Sequence, residues 1–253
     1  MESQEQFYVT LPSNNSMNYF PNNVLSSFKT KLATPLSLQG EWEVALVEFI
    51  YPFSWFNVNS RNNKFSLLEE NQEIYTGFVP KGYYADTTNV CNAIKKSLPE
   101  TFRNRVNFNT DENTGRVDAA IDLNSALCLS QGLGQLLGYP EGVISSSKRH
   151  APFSPDMDGG LHALYVYTDI IENQRVGDIS APLLKIVSVN RKKSGEVVSH
   201  SFQRPHYYPV KSKYIDIISI DIRSDVGEKV PFESGKVIAI LHFRSLRKPS
   251  LFY

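Results

Sequence analysis

The sequence predicts an all-β domain, a sandwich or a barrel, on three observations. Short runs of aromatic and β-branched residues recur along the 253 residues, separated by Gly, Pro, Asn and Asp. Two of these runs, 42–51 and 236–244, alternate with apolar residues on both faces, as strands covered on both sides do. No fixed-period repeat is visible, which argues against solenoids and propellers.

In chain order the strand candidates are 7–11, 25–31, 42–51, 65–68, 74–79, 105–109, 116–123 and 164–171. The last third adds 183–189, 197–203, 214–223 and 236–244. In the third candidate Trp42, Val44, Leu46 and Ile50 share one face, and Glu43, Ala45, Val47 and Phe49 the other. In the last, Val237, Ala239, Leu241 and Phe243 oppose Ile238 and Ile240, so both runs are expected to be central strands.

Asp111-Glu112-Asn113-Thr114-Gly115 reads as a hairpin turn, because Asn and Gly accept the positive φ such turns require. A calcium loop is rejected there, since the glycine is one place early and no bidentate Glu closes the frame.

Two segments read as helices. Asp86 or Thr87 caps a run in which Val90, Ile94, Ser97 and Leu98 share a face and Pro99 marks the exit. Ser125 caps a second, with Leu129, Leu133, Leu136 and Leu137 at helical spacing before Gly138-Tyr139-Pro140. The stretch 142–160, rich in Ser, Pro, Asp and Gly, reads as an exposed loop. One domain is expected over 1–253, with an insertion or loop-rich region around 84–160.

Composition narrows the function. With 41% hydrophobic and 21% charged residues the chain folds rather than staying disordered. Lys plus Arg and Asp plus Glu both number 26, so no global field gathers nucleic-acid phosphates. Cys91 and Cys128, both in segments read as helical, form neither a disulfide framework nor a zinc site, which suits a reducing compartment. The acidic, polar opening Met1-Glu2-Ser3-Gln4-Glu5-Gln6 predicts no secretory signal, so the sequon Asn14-Asn15-Ser16 reads as chance. No apolar run approaches the roughly 20 residues that cross a bilayer.

Templates for chemistry come back empty, and the protein is read as a non-enzyme that needs no cofactor. Gly132-x-Gly134 lacks the dinucleotide spacing, and Ser234-Gly235-Lys236-Val237 is a turn into a strand rather than a phosphate loop. His150, His162, His200, His206 and His242 form no local metal motif, and Asp156-x-Asp158-Gly159 lacks the later ligands of a cation loop. The basic residues Arg244, Arg247 and Lys248 read as a solvated end. The aromatic clusters 51–56 and 207–209 suit either core packing, the stronger reading, or subunit contacts.

Four blocks, taken as whole segments, carry a family resemblance. They are Phe7-Tyr8-Val9-Thr10-Leu11-Pro12-Ser13-Asn14-Asn15-Ser16-Met17, and Leu38-Gln39-Gly40-Glu41-Trp42-Glu43-Val44-Ala45-Leu46 leading to Tyr51-Pro52. The third is Tyr165-Val166-Tyr167 with Val176-Gly177-Asp178 and Pro182-Leu183-Leu184. The fourth runs from Ile220-Asp221-Ile222-Arg223 through Val230-Pro231-Phe232 to Leu241-His242-Phe243-Arg244. On these blocks the chain resembles the minor capsid, or penton, proteins of Polinton/Maverick elements and adintoviruses.

The resemblance implies a single jelly-roll β-sandwich with short helical insertions. It also implies homopentamers at the icosahedral vertices of a virion, beside a double jelly-roll major capsid protein, and no active site. The strand list supplies the roughly eight strands a jelly roll needs. Met157-Asp158-Gly159-Gly160-Leu161 resembles sites cut by adenovirus-like maturation proteases, with a cut after Gly160; a flexible Gly-Gly loop is the other reading. Two rival functions stay open, a domesticated β-sandwich binding module and a metalloenzyme on a jelly-roll scaffold.

Overall fold

The computed structural model describes residues 6–189 and 192–246. The chain forms two compact units. One holds the residues up to Trp55 and those from Leu161 onward; the other is Phe56–Gly160.

The strands of the first part of the chain are β1 (Gln6–Pro12), β2 (Ser27–Ser37), β3 (Trp42–Pro52), β4 (Lys64–Glu69) and β5 (Gln72–Phe78). After α1 (Thr87–Ser97) and a 3₁₀ turn (Glu100–Arg105) come β6 (Val106–Thr110), β7 (Val117–Ile121) and β8 (Ser125–Leu129). Then follow α2 (Gln131–Leu136), β9 (Val143–Ser145), β10 (Ala163–Thr168), β11 (Gln174–Val176) and β12 (Ile179–Ala181). The chain closes with β13 (Leu183–Ser188), β14 (Val197–Ser201), β15 (Tyr208–Pro209), β16 (Tyr214–Arg223) and β17 (Ile238–Ser245).

The first unit is a single jelly-roll β-sandwich. Its eight main strands make two antiparallel sheets, β1-β17-β3-β14 and β13-β10-β16-β2, with the short β15 also on β3. The expected central strands are confirmed, since β17 lies between β1 and β3, and β3 between β17 and β14. On β17 the expected face Val237, Ala239, Leu241 and Phe243 is wholly buried. The other sheet turns in Phe28, Leu164, Val166, Ile218, Ile220 and Ile222, all buried.

In β3 the simple alternation fails at Val47. Ile240 pairs with Glu48 but Leu241 with Leu46, so Val47 is an extra residue, a bulge. It switches the buried set from Val44 and Leu46 to Phe49 and Tyr51, and leaves Ile50 half-exposed. The aromatic run that follows is core, with Tyr51, Phe53 and Trp55 all buried and ringed around one another.

The second unit has its own sheet, β5-β4-β8-β9, a separate β6-β7 hairpin and the two helices. Its core includes Phe65, Leu67, Ile94, Leu127, Leu133 and Met157. The insertion expected around 84–160 thus begins at Phe56, because β4 and β5 pair with each other and β4 with β8. Glu70 and Asn71, both at positive φ, join β4 to β5, the pattern of a type I′ hairpin turn.

Helix α1 starts where expected: the Asp86 carboxylate accepts from the Asn89 amide. The 111–115 turn is also as expected, with the Asp111 carboxylate accepting from the Asn113 and Thr114 amides and Gly115 at φ 66°. The helix expected from Ser125 is corrected. Ser125–Leu129 is strand β8 with Ser125, Leu127 and Leu129 buried at period two, Cys128 lies on that strand, and helix α2 spans only Gln131–Leu136.

Candidate interaction surface

Because Leu164, Val166, Ile218, Ile220 and Ile222 point inward, their neighbours Tyr165, Tyr167, Ser219, Asp221 and Arg223 stand on the outward face of the second sheet. Arg223 donates from Nε to Asp221 Oδ2 at 2.6 Å and from Nη1 to the Gly227 carbonyl at 3.2 Å. Asp169 accepts from the Ser219 amide at 2.9 Å and its hydroxyl at 2.8 Å. Burial raises the phenol pKa of Tyr167 above its usual range, so it serves as a neutral, half-buried platform.

These side chains floor a cleft of about 420 Å³, with Ile179 and Pro182 along its wall. The wall belongs to the β11-β12 hairpin, whose Val176↔Ile179 pairing leaves Gly177-Asp178 as its turn, with Gly177 at φ 60°. Ile179, which lines the cleft, is 56% exposed, and Val226, next in sequence to the lining residue Gly227 in the turn after β16, is 77% exposed. Tyr and Arg on a floor with apolar edges is the composition that concentrates energy at protein interfaces.

Next to the cleft-floor strand β16 lies the edge strand β2, whose outer edge is capped at Lys29 and Lys31. The Asn23 side chain donates to the Lys29 carbonyl and accepts from the Lys29 amide, both at 2.9 Å, as a paired strand would. The Lys31 amide donates to Ser16 Oγ at 3.0 Å. A sealed edge resists strand-to-strand addition, so contacts here are made by side chains. Those on offer are Tyr19, 65% exposed, Tyr214, 62% exposed, and lysines 29, 31 and 213. Lys31 lies 5.6 Å from the Tyr19 ring centroid and bonds Asp216 at 2.9 Å.

The histidines go to separate places. His200 stacks between Tyr51 and Phe202, and His242 stacks on Tyr8 at 4.5 Å while bonding Tyr207 Oη at 2.7 Å. Burial lowers the pKa of both, which fits packing roles. His150, His162 and His206 are exposed. Cys91 is buried, with its thiol pushed up to about 12 by burial.

The glycine patterns are structural. A Cβ on Gly134 would meet the Tyr139 carbonyl oxygen at 2.3 Å, and Gly235 turns at φ 102° against Pro52. Arg247 and Lys248 lie outside the described residues. Among the described residues no helix is long and apolar enough to cross a membrane.

In the protease-like motif, Met157 to Gly160 form a turn held by Asp156, whose carboxylate accepts from the Asp158 and Gly160 amides. Gly159 and Gly160 are exposed, Asp158 and Leu161 half-buried, and Met157 is buried with its carbonyl accepting from Asn57.

The sequence reading missed the β11-β12 hairpin that walls the cleft. Its cue was present in Val176-Gly177-Asp178, since Gly-Asp between two short runs is a hairpin turn.

No protein-family model matches the chain, and no curated protein matches it in sequence. Among solved structures, that of the mavirus penton protein superposes with a TM-score of 0.54, at 9% identity, over 95% of this chain and 100% of that one. The fold is shared with the mavirus penton protein. A chain in the cryo-EM structure of the Sputnik virophage reaches a TM-score of 0.49 at 11% identity, over 96% of this chain and 98% of that one.

Proposed function

We propose that the protein is a structural, non-enzymatic subunit of a viral capsid. On this reading it is a penton-type minor capsid protein of the Polinton/Maverick kind, forms homopentamers at the vertices of the virion and contacts a double jelly-roll major capsid protein. The observation that carries the proposal is the single jelly roll itself, built from strands at both ends of the chain and matched over the whole length of the mavirus penton protein. The family resemblance of four sequence blocks supports it independently, and so does a sheet face whose exposed residues suit protein contact rather than catalysis.

The test is co-expression with a double jelly-roll major capsid protein and imaging of the particles. Density for this chain at fivefold vertices is expected. Particles that form without it at the vertices, together with a monomer in solution, would favour the binding-module reading. The Met157–Leu161 motif is a turn on this account, since a protease would have to extract buried Met157 to read it. Incubation with a cognate maturation protease is expected to leave the intact mass, whereas a product ending at Gly160 would assign the motif a processing role.

A further inference from the structure

The cleft on the outward sheet face asks for a cationic occupant with an apolar end. Segment 169–181, which supplies its wall, holds three carboxylates, Asp169, Glu172 and Asp178, against one cation, Arg175. Asp169 and Glu172 are exposed. Arg223 on the floor is engaged by Asp221 and the Gly227 carbonyl, and Lys29, cross-strand from Ser219, bounds the site on the β2 side. Asp221 Oδ1 is buried at the floor and has no hydrogen-bond partner among the described residues, so a donor on an occupant would satisfy it. Beyond the carboxylates the wall is apolar, with Ile179, Ala181 and Pro182.

The segment that follows β17 has this composition in this order. Arg247 and Lys248 come first, then Leu251, Phe252 and Tyr253. The end of β17 also lies on a short path to the cleft. Ser245 pairs with Trp42, the Trp42 carbonyl accepts from the Val210 amide, and Val210 bridges to Ile171. Three such steps at about 5 Å each, and two residues more to Asp169, make a path of about 20 Å. The seven residues 247–253 span at most about 23 Å when extended.

We propose that segment 247–253 docks into this cleft of its own chain, with Arg247 and Lys248 at Asp169 and Glu172 and with Phe252 and Tyr253 against Ile179 and Pro182. The docking is intramolecular and independent of the capsid role. Because the segment is tethered beside its site, its effective concentration is high and a contact of modest intrinsic affinity holds it. The carboxylates set its direction, and the aromatic rings on the aliphatic wall supply the buried centre.

The test places a photoreactive benzophenone side chain at Phe252 of the full chain and maps the cross-linked peptides by mass spectrometry, with thermal melts to confirm that each variant folds. Cross-links to 167–182 and 219–227 within a single chain are expected. Arg247→Glu with Lys248→Glu, and separately Asp169→Lys with Glu172→Lys, are each expected to lower their yield at least about fivefold, since each sets like charges together. All four changes combined restore opposite charges and are expected to restore the yield. The Arg247→Glu and Lys248→Glu pair alters none of the described fold, so it stands as a test even where the cleft variant fails to fold. Cross-links that fall elsewhere, cleft cross-links that ignore the charge at 247 and 248, or cleft cross-links found only in products of twice the mass overturn the docking. None of these outcomes bears on the capsid role, which vertex density tests.

Discussion

The two units of this chain are built on opposite plans. In the jelly-roll unit the long strands pair across great sequence distances, as Gln6 does with Arg244 and Ser27 with Asp221. In the 56–160 unit most pairs are neighbours in sequence, as in β4 with β5 and β6 with β7. Non-local pairing demands closure of long loops before contacts reward it, so the jelly-roll unit is the expected slow, cooperative part of folding and the second unit its local counterpart. Proteins separate such regions when a loop between two strands grows its own core; here that loop joins β3 to β10.

The contrast can be broken from either side. Phe49, wholly buried on the central strand, is the largest lever: Phe49→Ala is expected to cost about 3–5 kcal/mol. Both tryptophans, Trp42 and Trp55, lie in the jelly-roll unit, so tryptophan fluorescence reads its melting directly. In the second unit Gly134→Ala drives a Cβ into the Tyr139 carbonyl, an overpacking cost of about 1–3 kcal/mol. Hydrogen exchange at 125–145 should accelerate with that variant while the tryptophan signal stays close to wild type.

Acid separates the units in the same way. His200 and His242, both in the jelly roll, have pKa values lowered from 6.5 by burial. Below that value the unfolded chain binds protons that the folded one resists, so their contribution is present above pH 6.5 and is lost as the pH falls through the folded values. In the second unit hydrogen bonds from the Asn113 amide and from Arg149 lower the pKa of Asp111 and Asp118 from 3.8, so stability drawn from them is lost only in stronger acid. Tryptophan-monitored melting is therefore expected to fall between pH 7 and pH 5, with His200→Gln and His242→Gln together flattening the slope. The smallest effect is Asp86→Ala, which removes the cap of α1 at about 1 kcal/mol and should show as faster exchange in 87–91 alone.

Legibility in the sequence followed the same divide. Every one of the expected strands exists, because period-two burial is written in the residues, as in Val237, Ala239, Leu241 and Phe243. Partners were not legible, since nothing in Gln6–Pro12 names β17 as its neighbour. Nor was the bulge at Val47, which exists only relative to β17. Strand β8 was misread because its leucines run without a break into those of α2, and a short apolar stretch fits either period. The interaction surface was the least visible part. Tyr167, Asp221 and Arg223 stood in the quoted blocks, but only the pairing of β10 with β16 sets them side by side, and only the β11-β12 hairpin makes them a cleft.

The central claim is that this jelly roll is a ring-forming subunit, and light scattering of the purified full chain over a range of concentrations tests it most directly. The account predicts a species of five times the 28.6 kDa of one chain. A single 28.6 kDa species at every concentration would contradict it.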